Sequence, residues 1–165
     1  MDFQSVLRCL VPKGAWQRRA ILVFFFMFLD YSVTLTFCKH PATEGNLLAR
    51  SFMETYGIAA GLTIFDLLIS VPVYVILCFD SQLIEHAGKY SAVTEFVIDL
   101  AFGWSIAGAH FNGATSWLWD ASGVTRQALG FFVYEAIALP SFHPFLRLNY
   151  LWSLPKLNIA KRREQ

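Results

Sequence analysis

Charge is scarce in this sequence: Asp, Glu, Lys and Arg make up 15% of its 165 residues, against 56% hydrophobic. A formal net charge of +1 excludes the electrostatic footprint of a nucleic-acid partner. Cysteine is scarce too. Cys9, Cys38 and Cys78 form no CxxC pair and fall on or near different faces of the expected fold, which excludes a disulfide framework and a zinc site. There is no HExxH, no glycine-rich phosphate loop and no Ser-His-Asp order in a suitable context, so no known catalytic constellation and no cofactor is indicated.

What is abundant is uninterrupted apolar sequence, including 16 Phe. A membrane-spanning helix needs about 20 predominantly apolar residues. Four blocks qualify, at 20–37, 57–79, 91–111 and 127–146, the last interrupted by Pro140 and Pro144. A soluble helix would carry a polar face, and the run from Ala20 to Leu29 has none. The expected fold is an all-α integral membrane protein, a single domain over residues 1–165 forming a four-transmembrane-helix bundle. Arg8, Lys13, Arg18 and Arg19 precede the first block and Arg147, Lys156, Lys161, Arg162 and Arg163 follow the last, which by the positive-inside rule makes both termini cytoplasmic. The alternating pattern of residues 1–15 suits a short interfacial helix. No small-x-small cleavage site follows the first block, so it reads as a retained anchor. Ser51-x-x-Glu54 has the capping-box pattern for the helix that becomes the second span. Trp16, Tyr56, Trp117 and Trp119 fit an interfacial aromatic belt.

All 13 basic residues lie outside the four blocks, whereas five of the 12 acids lie inside: Asp30, Asp66, Glu95, Asp99 and Glu135. A charged residue near mid-bilayer costs about 2.5–3.5 kcal/mol on insertion scales. These acids should therefore face inward. Spacing agrees. Thr63, Asp66, Ser70 and Tyr74 fall on one helical stripe, Glu95, Asp99, Gly103 and His110 on another, and Thr34 lies one turn beyond Asp30. With no base in the spans, the carboxyls can stay neutral, share protons or bind a cation. The bland alternative is interhelical hydrogen bonding. Gly103, Ala107, Gly108 and Gly113 would let helices approach closely, within the chain or at a homodimer seam. Pro72 should kink the second span. His40, His86 and His143 read as loop or interfacial residues.

Two resemblances add to this. Asp30-x3-Thr34, then Glu44-Gly-Asn46 before a second span, resembles a group of small, functionally uncharacterised prokaryotic membrane proteins with an Asp-x3-Thr and Glu-x-Asn signature; Leu47 stands where that group usually has Pro. Asp66, Leu67 and Pro72 are similar to the second span of the four-helix sterol-isomerase and sigma-2-receptor-like family, which implies a reaction class.

Three functions remain open. The first is binding or transport of protons, a cation or a small substrate in an acid-lined cavity, with Asp30, Thr34, Asp66, Ser70, Glu95, Asp99, Trp104, His110 and Glu135 as candidate binding residues. The second is a membrane-embedded lipid or isoprenoid isomerase or cyclase. There Asp66, Asp99 and Glu135 would act as general acid and base, and Tyr31 and Trp104 would stabilise positive charge. The third is a subunit of a larger membrane complex. Membrane lipid is the expected surrounding, with a homodimer or larger complex as the protein partner.

Overall fold

The computed structural model describes residues 11–86 and 90–143. The expected interfacial helix at the N-terminus and the basic C-terminal residues lie outside these, as does the end of the fourth apolar block.

The described residues are helices and short connections, with no strand among them. Helix α1 runs over Ala15–Phe37, α2 over Leu47–Tyr56, α3 over Ile58–His86, α4 over Ser91–Ser116 and α5 over Gly123–Phe142. Three of them, α1, α4 and the Ile58–Gln82 part of α3, are long and apolar enough to cross a membrane. The 20 residues of α5 reach about 30 Å at 1.5 Å each, but Arg126, Gln127 and Glu135 make it less apolar.

Helix α1 starts at Ala15 because Gly14 adopts φ 55°, a conformation that ends the preceding chain direction at little cost only for glycine. Five residues earlier than the hydropathy boundary, this start takes Arg18 and Arg19 into the helix. The second helix does not begin at Ser51. Its N-cap is Asn46, whose side-chain oxygen accepts the Leu48 and Ala49 amide protons at 3.0 and 3.3 Å, while Ser51 lies within the helix. Gly57, at φ 84°, then separates α2 from α3. Helix α2 packs back onto α3, and a Cβ at Gly61 would collide with the Phe52 backbone. Helix α3 continues through Pro72, and α5 through Pro140.

The long helices alternate in direction. Arg19 of α1 meets Glu95 and Asp99 at the start of α4, and Asp30 meets His110 near its end, so α1 and α4 run parallel. Tyr31–Thr63 and Phe24–Tyr74 pair α1 antiparallel to α3. Gly108 against Gln127 and Asp99 against Tyr134 pair α4 antiparallel to α5. Helix α1 is central. Its buried Trp16, Ala20, Val23, Phe26 and Met27 share one core with Val73 and Leu77 of α3, Phe102 and Ala107 of α4, and Tyr134, Ala138 and Phe142 of α5. The outward-facing Ile21, Phe25 and Phe28 of α1 and Leu67, Leu68 and Val71 of α3 are exposed, as helices apolar all round would be against lipid.

Residues Gly103–Gly108 of α4 form a π-helical stretch. Such wide turns are rare and occur mostly as local insertions in α-helices. The small residues expected to let helices approach closely do so within the chain: Gly103 faces Glu135 and Tyr134, Gly108 faces Gln127, and Gly113 faces Asp30.

Candidate functional site

The acids of the apolar blocks gather mainly at the two ends of the bundle. At the end where α1 begins, the premise that the spans contain no base is corrected by Arg19. Its side chain is fully buried. The Arg19 Nε donates to both oxygens of Asp99 at 3.0 and 3.1 Å, and Nη2 donates to Asp99 Oδ2 at 3.0 Å and to Glu95 Oε2 at 2.9 Å. The guanidinium lies 4.5 Å from the Trp16 ring centre and 4.7 Å from that of Phe142. Trp16 is therefore a buried partner of Arg19 and not part of a lipid-facing belt. Asp99 also accepts from the Tyr134 hydroxyl at 3.3 Å and meets His143 Nε2 at 2.6 Å. His143, expected at the interface, is 1% exposed. Asp99 is thus met by three residues, while Arg19 Nη1 is buried without a hydrogen-bond partner.

At the other end the polar groups surround open space. A cavity of about 570 Å³ is lined by Asp30, Tyr31 and Thr34 of α1, by Glu44, Gly45 and Asn46 of the connecting loop, and by Asp66 of α3. His110, Asn112, Gly113 and Ser116 of α4 complete its wall, with Trp117 and Arg126 at the rim of α4 and α5. Asp30, the acid inside the first apolar run, meets His110 Nδ1 at 2.9 Å. Helix α4 comes this close because Gly113 has no side chain; a Cβ there would stand 2.5 Å from Asp30 Oδ1. Thr34 donates to Asp30 Oδ1 at 3.4 Å and accepts the Trp117 indole proton at 3.1 Å. Asp66 is left incomplete. Its Oδ2 is buried and has no hydrogen-bond partner.

The loop is shaped to present its carboxylate here. Glu44 Oε1 accepts the Asn46 amide proton at 2.8 Å, and the Arg50 guanidinium donates to the Glu44 carbonyl through Nε at 2.9 Å and also through Nη2. Arg126, the one Lys or Arg on the cavity wall, is held by Asn112 Oδ1 at 2.9 Å and by the Trp119 and Ala121 carbonyls. Three carboxyls thus line the space, and the guanidinium beside them is engaged through Nε and Nη1. Among the described residues, no group of three His, Cys, Asp or Glu side chains is arranged to hold a metal ion.

Protein-family models, curated proteins and solved structures yield no match to this chain. The site is therefore read from its own geometry.

Of the candidate binding residues, Asp30, Thr34, Asp66 and His110 line the cavity. Ser70 lies beyond it, in an apolar groove between α1 and α3 that Asp66 also borders. Glu95 and Asp99 belong to the Arg19 cluster. Glu135 is buried against Gly103, both its oxygens without a hydrogen-bond partner. Trp104 is 45% exposed and packs edge-on to Phe131, so its ring is not gathered with the acids. The acids do not line one continuous cavity. Sequence reasoning omitted Glu44, Asn46 and Trp117 from the site and Arg19 from the interior. A signal for Arg19 existed: it lies eleven residues before Asp30, three helical turns, on the stripe of Val23, Phe26 and Thr34.

Proposed function

We propose that the chain is a four-span membrane protein, with both termini cytoplasmic, that binds a small cationic species or protons in the cavity at the outer end of the bundle and moves it into or across the membrane. One observation carries this reading: Asp30, Glu44 and Asp66 line a common cavity, and Asp66 has in addition a buried oxygen, Oδ2, without a hydrogen-bond partner. A buried carboxylate oxygen without a donor is costly; a proton would supply what is missing there, and a cation in the cavity would offset the charge of the carboxyls that line it. Asp30, Thr34, Glu44 and Asn46, the residues of the Asp-x3-Thr and Glu-x-Asn pattern, all line this cavity. Because the side chains offer no three-ligand metal site among the described residues, an organic cation or a proton suits the cavity better than a coordinated metal.

The isomerase reading asks for two carboxyls at one apolar site. Asp66 borders the apolar groove, but Asp99 is engaged by Arg19 and Glu135 lies against Gly103, so this geometry favours binding and transport. Self-association, as a homodimer or within a larger complex, would enlarge the volume that four short spans enclose. The test is cation- and proton-coupled flux in proteoliposomes. Asp66→Asn should abolish it while the protein elutes and unfolds as the parent does. Unchanged flux in that variant removes Asp66 from the mechanism and sinks the reading.

A further inference from the structure

Asp66 stands in the wall between two different spaces. On one side is the polar cavity; on the other, an apolar groove of about 340 Å³ runs between α1 and α3 and shares Asp66 and Tyr31 with it. Phe24, Met27 and Phe28 of α1 and Leu67 of α3 line the groove. Phe28 and Leu67 are among the most exposed apolar side chains of the two helices, so the groove opens on the face that bilayer hydrocarbon would contact. The Tyr31 hydroxyl and Thr63 Oγ1, 3.0 Å apart, tie the helices together where the two spaces meet.

We propose that the ligand is a membrane amphiphile with a protonated amine headgroup and a hydrocarbon tail. The headgroup enters the acid-lined cavity against Asp66 and Asp30, and the tail lies in the groove between α1 and α3. This deepens the binding function above and rests on it. Three features select this class. A small free cation has no use for an apolar groove continuous with its site. An uncharged lipid has no use for a carboxylate at the end of its tail channel. An anionic headgroup would face three carboxyls against one arginine whose Nε and Nη1 already donate to Asn112, Trp119 and Ala121. The volumes, about 570 and about 340 Å³, each fall in the roughly 300–1,000 Å³ range of small-molecule sites. The tail keeps its hydrocarbon surroundings throughout, so only the headgroup must be desolvated, and the carboxyls compensate that step.

The experiment uses the full chain in phosphatidylcholine nanodiscs. The probes are dodecylamine with a photoreactive diazirine midway along the chain and the matched dodecyl sulfate. After illumination, labelled peptides are mapped by mass spectrometry. The amine probe should label the α1–α3 groove, around Phe28 and Leu67, in preference to other outward-facing residues. Labelling there should fall about tenfold in Asp66→Asn, which removes the charge, and in Leu67→Trp, which fills the groove. The sulfate probe should show no preference. Both variants must elute and unfold as the parent does; if Leu67→Trp does not, Leu67→Phe replaces it. Equal labelling by both probes, or amine labelling indifferent to both substitutions, identifies ordinary surrounding lipid and overturns the proposal. Butylamine, a headgroup without a tail, separates this failure from that of the underlying reading. If butylamine stabilises the parent but not Asp66→Asn while groove labelling fails, cation binding stands and the amphiphile falls.

Discussion

Replacing Arg19 by Met removes the one fully buried arginine or lysine among the described residues and keeps an unbranched apolar stem. The substitution deletes four N···O contacts of 2.9–3.1 Å to Asp99 and Glu95. It also deletes two cation–π contacts, with Trp16 and Phe142. Asp99, fully buried, loses its counter-charge. Removing one partner of a buried ion pair costs about 3–5 kcal/mol, because the remaining charge is left uncompensated. Tyr134 and His143 still reach Asp99, which favours the lower half of that range. Equilibrium unfolding in mixed micelles, titrated with dodecyl sulfate, measures the loss. Arg19→Met combined with Asp99→Asn should be less destabilised than the sum of the single changes, with a coupling of about 1–3 kcal/mol. An Arg19→Met protein within about 1 kcal/mol of the parent, or a strictly additive double variant, would refute the claim that this pair holds α1 to α4.

Gly113→Ala places a methyl group 2.5 Å from Asp30 Oδ1 and should loosen the Asp30–His110 contact at a cost of about 1–3 kcal/mol, read in the same unfolding titration. Asn46→Ala should cost about 1 kcal/mol through loss of the α2 cap, whereas Ser51→Ala should change stability by no more than about 0.5 kcal/mol; the reverse order would restore Ser51 as the cap. Asp30→Asn should weaken butylamine binding less than Asp66→Asn does, because Asp30 already has His110 and Thr34 as partners, and equal losses would contradict that ranking.

The helices and the acids inside them were legible in the sequence because hydropathy and helical spacing are local properties. The stripe Thr63, Asp66, Ser70 and Tyr74 does face α1, through Tyr31, the shared groove and the Phe24 ring. What was not legible depends on where a helix starts and stops. Arg19 falls one position before the apolar block, and hydropathy puts it outside; the positive φ of Gly14 puts it inside, a full turn into α1. His143 follows Pro140 and reads as a breaker region, yet the helix runs on to Phe142 and delivers the ring to Asp99. Ser51 and Asn46 are both good cap residues, and the capping-box pattern favoured Ser51. The choice is made by tertiary contacts of the loop, in which Arg50 grips the Glu44 carbonyl and Glu44 receives the Asn46 amide. The π-helical stretch has no signature that periodicity detects, since its residues are as small and apolar as their neighbours.

The two ends of the bundle meet the cost of intramembrane charge in opposite ways, and the contrast assigns their roles. Asp99 has Arg19, Tyr134 and His143 around it, drawn from α1, α5 and the residue after α5. Although Arg19 Nη1 is buried without a partner, Asp99 itself is fully engaged, and these contacts fix the relative positions of three helices. Asp30, at the opposite end, has one histidine and one threonine, Glu44 reaches the cavity from a loop, and Asp66 has an oxygen with no donor. Natural interiors leave few buried polar atoms unpaired. The unpaired Asp66 oxygen differs from those of Glu135 in that Asp66 lines both the polar cavity and the apolar groove, which is what the proposed binding role rests on. The scaffold sets the incomplete end: α1 is pinned to α4 at Arg19 and tied to α3 at Tyr31–Thr63, which together fix the separation of Asp30 and Asp66.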